Sequence, residues 1–79
     1  MSPTVFREGG FRFFFFSREE PRIHIHVQAQ GGEAKFWIDP EIQLAVNYGL
    51  ADHELTTIKR LVEEHVDEIR EAWNRHFGG

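Results

Sequence analysis

Two histidines, His24 and His26, are the side chains of this chain best spaced to do chemistry together. They lie in the segment Ile23-His24-Ile25-His26-Val27. A strand has a period of two, so it sends both imidazoles to one face and Ile23, Ile25 and Val27 to the other. Burying the apolar face is a requirement of folding. Two imidazoles side by side on the opposite face are not, so the pair marks a working surface.

Three uses of that surface stand open. In the first, the imidazoles share a metal, with Asp39 or a helix residue as the third ligand. In the second, His24 and His26 are the acid and base of a metal-independent, ribonuclease-like reaction. Neutral imidazole accepts a proton near pH 7 and its charged form donates one. Lys35 or Arg22 then holds the phosphate, Arg12 adds positive charge, and Trp37 and the exposed members of the Phe run stack bases. In the third, the patch is structural or an interface, since cross-strand His, Trp and Asp pairs stabilise a sheet by about 0.2–1 kcal/mol each and such residues favour protein contacts.

The elements that must position these residues follow from periodicity. Thr4 to Arg7 is a short strand closed by Gly9-Gly10, and Phe11 to Ser17 is a second strand, rich in aromatics. Its Phe14 and Phe16 are candidate partner contacts. After the polar turn Arg18-Glu19-Glu20-Pro21, Ile23 to Gln30 is the histidine strand and Glu33 to Ile38 its return. Asp39-Pro40 breaks that strand, and Ile42 to Asn47 is a last strand or an apolar connector. With Gly31-Gly32 as a two-residue loop, Gln30 faces Glu33, Gln28 faces Lys35, His26 faces Trp37 and His24 faces Asp39. A slip of one residue would exchange the faces.

From Asp52 onward the period changes. Leu55, Ile58, Val62, Val66, Ile69, Trp73 and Phe77 form one apolar helical stripe. Asp52 is the expected N-cap, and a helix over about 52–76 would run about 36 Å, long enough to kink or project. The fold class is therefore α+β: an antiparallel meander of four or five strands with one long amphipathic helix, possibly kinked, packed on one face. His65 flanks the stripe, and Glu63, Glu64, Asp67, Glu68 and Glu71 make an acidic helix surface.

Composition narrows the function classes. The 79 residues suit one domain with a thin core. There is no cysteine, which rules out disulfides and thiolate zinc sites. The formal net charge is −4, so a general basic footprint for nucleic acid is missing, although Arg7, Arg12, Arg18, Arg22 and Lys35 can form a local one. No stretch reads as a signal peptide or a membrane span, and the expectation is a soluble, cytoplasmic protein without a cofactor.

Several segments together resemble a known family. They are Val5-Phe6-Arg7-Glu8-Gly9-Gly10-Phe11-Arg12-Phe13-Phe14, Pro21-Arg22-Ile23-His24-Ile25-His26-Val27, Glu33-Ala34-Lys35-Phe36-Trp37, Asn47-Tyr48-Gly49 and Glu71-Ala72-Trp73-Asn74. The chain resembles the domain of unknown function 4160 family of small bacterial proteins over nearly its whole length. The resemblance implies a single domain from a toxin–antitoxin-like gene pair. A second small protein chain is then the expected partner, with RNA and a second copy of the chain as further candidates.

Overall fold

The computed structural model describes residues 4–16 and 21–78. Five strands, β1 (Thr4–Glu8), β2 (Phe11–Phe14), β3 (His24–Ala29), β4 (Gly32–Trp37) and β5 (Gln43–Tyr48), form an antiparallel meander in chain order. Two helices follow, α1 (Asp52–Glu64) and α2 (Val66–Phe77). The segment after Ile42 is thus a strand. Ser17 and the turn residues Arg18, Glu19 and Glu20 lie outside the described residues. Among the described residues no helix is long and apolar enough to cross a membrane.

Local chemistry explains the strand ends. Gly9 and Gly10 have φ of 64° and 82°, the left-handed values that a tight two-residue hairpin of the type I′ family needs and that a side chain resists. The β3–β4 turn is Gln30-Gly31 rather than Gly31-Gly32, because Ala29 pairs with Gly32. Gly32 belongs to β4 for a different reason. A Cβ there would lie 2.5 Å from the Tyr48 carbonyl oxygen and 2.8 Å from Leu50, so only glycine lets the end of β5 approach.

This turn corrects every expected pairing. His24 faces Trp37, His26 faces Lys35 and Gln28 faces Glu33. The displacement is by two residues, which preserves the faces. Ile25, Val27, Ala34, Phe36 and Ile38 are buried in one cluster with Ile58, Leu61, Val62, Ile69, Ala72 and Trp73 from the helices, and with Phe13 and Phe15.

The single long helix is also corrected: the C-terminal segment is two helices separated at His65. There φ and ψ are −108° and 15°, and the His65 N–H is shared between the carbonyls of Leu61 and Val62. The side chain explains the break. Its ring stacks on Phe6 at 3.9 Å, Nδ1 lies 2.8 Å from Glu68 and Nε2 lies 3.0 Å from Glu8. The path explains its use. α1 starts beside Leu50 at the end of β5 and brings Leu61 toward Gly9 at the first hairpin. α2 then runs to the other end of the sheet, where Arg70 donates to the Ile38 carbonyl at 3.3 Å and Trp73 meets Phe15. One straight helix cannot turn that corner.

The helix caps follow the same logic. Ala51, not Asp52, is the N-cap. Its N–H donates to the Glu54 carboxylate at 3.0 Å, which is the returning half of a capping box. Asp52 is in the first turn, where its charge favours the helix dipole.

Candidate functional site

Alternation along the strands leaves the second face of the sheet without helices. Register orders its side chains into rows. One row runs Arg7, Arg12, Gln28, Glu33, Tyr48, and the next runs Thr4, Phe14, His26, Lys35, Val46. A third joins His24, Trp37 and Gln43. The extra residue in β5 is Ala45, since Lys35 pairs with Val46 and Phe36 with Leu44.

Cations lie over rings on this face. The Arg12 guanidinium sits 4.5 Å from the centre of Phe14, and its Nε donates to Thr4 Oγ1 at 2.8 Å. Trp37 carries two cations, Arg22 at 4.2 Å and Lys35 at 4.4 Å. The Arg22 Nε donates to the Asp39 carbonyl at 2.9 Å, which fixes its stem. Each exposed cation–ring pair is worth about 0.5–1 kcal/mol. That orients a long side chain along the sheet.

The two histidines have separate environments. His24 is fully buried, and its Nδ1 donates to the Arg22 carbonyl at 2.7 Å. Its ring is packed among His26 at 5.0 Å, Trp37 at 5.6 Å and Trp73 of α2 at 5.3 Å. His26 is half-buried, with Phe16 at 4.3 Å on one side and Phe14 at 5.6 Å. Phe16 is 44% exposed, whereas Phe14 is almost covered. His26, Lys35, Phe16 and Trp37 therefore meet at the surface, and His24 supports them from below.

The expected metal set is not assembled. Asp39 lies beyond Trp37, and its carboxylate is 3.5 Å from Arg70 of α2. Among the described residues no group of three His, Asp or Glu is close enough to hold an ion. The pKa of His65 is raised above its ordinary value. Hydrogen bonding to Glu68 raises it, burial opposes this, and Glu8 raises it further.

Two surface residues, Glu33 and Tyr48, had no functional role in the sequence reading. Arg7, expected in a local basic footprint, extends the cationic row, while Glu33 and Tyr48 end it at β5. Tyr48 is 69% exposed. The placement of Tyr48 depends on the bulge at Ala45, which alternation alone does not reveal.

Fold and site together define a two-layer α+β domain with helices on one sheet face and an aromatic, cationic second face. The chain belongs to the family described as Domain of unknown function (DUF4160), whose model matches residues 10–74. No curated protein and no solved structure matches the chain.

Proposed function

We propose that the open sheet face binds single-stranded RNA, and that the protein works as one component of a two-protein, toxin–antitoxin-like module. The observation that carries RNA binding is the set of cations held at rings on this face: Arg22 and Lys35 on the half-buried Trp37, with Arg12 over the covered Phe14 adding positive charge beside the exposed Phe16. Flexible RNA presents flat bases and phosphates at short intervals. A sheet that offers stacking rings with cations beside them suits both. The overall acidity does not oppose this, because it is concentrated elsewhere. The helices hold seven acids (Asp52, Glu54, Glu63, Glu64, Asp67, Glu68, Glu71) against four bases (Lys59, Arg60, Arg70, Arg75). The family resemblance supplies the expectation of a second small protein chain.

Cleavage is a second reading, favoured by the direct pairing of His26 with Lys35. His26 would take the 2′-hydroxyl proton as that oxygen bonds to phosphorus, Lys35 would stabilise the charge on the phosphate, and the P–O5′ bond would break with the leaving oxygen protonated by the imidazolium of His26 or by water. Burial removes His24 from contact with substrate and makes it the residue that positions His26.

Binding of labelled oligoribonucleotides, followed by fluorescence anisotropy at two salt concentrations, tests the proposal. Affinity is expected to fall with salt, with a slope of about −0.7 per phosphate neutralised. Absence of binding at low salt would end the RNA reading. Incubation of a longer RNA with the wild type and with His26→Ala tests cleavage, and equal product from both would exclude His26 as the base. Co-purification with the product of the neighbouring gene tests the two-protein module.

A further inference from the structure

One residue contradicts the cationic character of the open face. Glu33 is exposed on β4, between Gln28 of β3 and Tyr48 of β5. An acid on a phosphate-binding surface repels its ligand. Among the described residues its carboxylate forms no ion pair.

Glu33 lines a groove of about 380 Å³ with Phe16, His26, Lys35, Val46 and Tyr48. Register gives the order of these side chains. Phe16 leans on His26 at one side, with ring centres 4.3 Å apart and planes tilted by 56°, the row His26, Lys35, Val46 crosses the middle, and Tyr48 stands beside Glu33 at the β5 side. From β3 to β5 is two strand spacings, about 10 Å. The volume is at the low end of the range for small-ligand sites, about 300–1,000 Å³. A single nucleotide is the unit that fits it.

We propose that this groove is a guanine-selective subsite of the RNA-binding face, which rests on the RNA-binding reading above. Guanine presents two adjacent donors on its Watson–Crick edge, N1–H and the exocyclic N2–H. A carboxylate presents two acceptors at matching separation. Adenine and cytosine each pair one donor with an acceptor on that edge, and uracil sets its one donor between two carbonyls. Only guanine gives both Glu33 oxygens a donor. Every other base brings an acceptor against the carboxylate, as would a phosphate. Phe16 and Tyr48 supply rings for stacking, and Lys35 neutralises the flanking phosphate. The acid that weakens general binding thereby selects one base.

The test uses the purified full chain and four labelled octamers: alternating uridine–guanosine, oligouridine, oligoadenosine and oligocytidine. The guanosine-containing octamer is expected to bind about tenfold or more tighter than oligouridine, within the range for a bidentate base contact. In Glu33→Gln that advantage should shrink to about threefold or less, while oligouridine binds as well or better because a negative charge is gone. A merely structural role for Glu33 would move all four affinities together, and thermal melting confirms that the variant is folded. Equal affinities in the wild type, or an undiminished guanine advantage in Glu33→Gln, would overturn the subsite and leave RNA binding standing. No binding of any octamer would overturn both and leave the face to a protein partner.

Discussion

Ile25 and His26 are neighbours in the chain on opposite faces of one sheet. Ile25 is fully buried with Val27, Phe36 and Ile38 under the helices. His26 is half-buried among Phe14, Phe16 and Lys35. The buried cluster of the core face, as far as the described residues go, is aliphatic and aromatic, without a charged member. The open face mixes Arg7, Arg12, Arg22 and Lys35 with rings and with the acid Glu33. The first arrangement excludes water and drives folding. The second keeps charge and ring together in water, which contributes little to stability.

That contrast breaks most visibly on the core side. Phe36→Ala is expected to cost about 3–5 kcal/mol, measured by urea unfolding. In so small a domain this would leave much of the protein unfolded. A loss below 1 kcal/mol would contradict a close-packed core under the helices.

The histidines sharpen the comparison within one strand. His24→Ala leaves a cavity beside Trp73 and removes the donor to the Arg22 carbonyl, an expected loss of about 2 kcal/mol. His26→Ala should cost less than about 1 kcal/mol. Equal losses would show that the two rings are supported alike.

A smaller effect is expected from Lys35→Ala. Its stability should change by about 0.5 kcal/mol or less, whereas its RNA affinity should fall and the salt slope should flatten by about 0.7. Stability loss without a change in slope would place Lys35 with the structural side chains.

The effect confined to a narrow pH range concerns the junction at His65. Its pKa is raised in the folded state by the hydrogen bond to Glu68 and, beyond the opposing effect of burial, by Glu8. The folded state therefore binds the proton more tightly than the unfolded chain. This contribution is complete below the ordinary value of 6.5 and is lost as pH rises through the higher folded value. The bonds are partly exposed, so it should amount to about 1 kcal/mol or less. Melting temperatures across that range should fall with rising pH, and His65→Gln should flatten the fall. An identical pH profile in the variant would remove His65 as the source.

Much of the fold was legible because its signals are periodic. Alternation along Ile23 to Val27 and along Ala34 to Ile38 assigned the faces, and they survived an error in the turn because moving the pairing by two residues leaves parity intact. The helix break was not legible. His65 adds a step to the chain whether or not it is helical, so Val62 and Val66 keep their spacing and the stripe looks continuous. The aromatic, cationic patch was legible in Lys35, Trp37, Arg12 and Arg22. The unequal burial of His24 and His26 was not, since it depends on Trp73 from the distant second helix. Tyr48 and Glu33 gained their place from a bulge and a neighbouring strand.

The amino-acid sequence alone determined the meander, the apolar helical stripe and the sharing of a face by His24, His26, Lys35 and Trp37. Each follows from local geometry and the burial of apolar side chains. Tertiary structure alone decided that the helix turns at His65, that His24 is enclosed while His26 reaches the surface, and that Asp39 leaves the pair for Arg70. Those outcomes depend on which distant side chains compete for the same space and charge, and no local pattern encodes that competition.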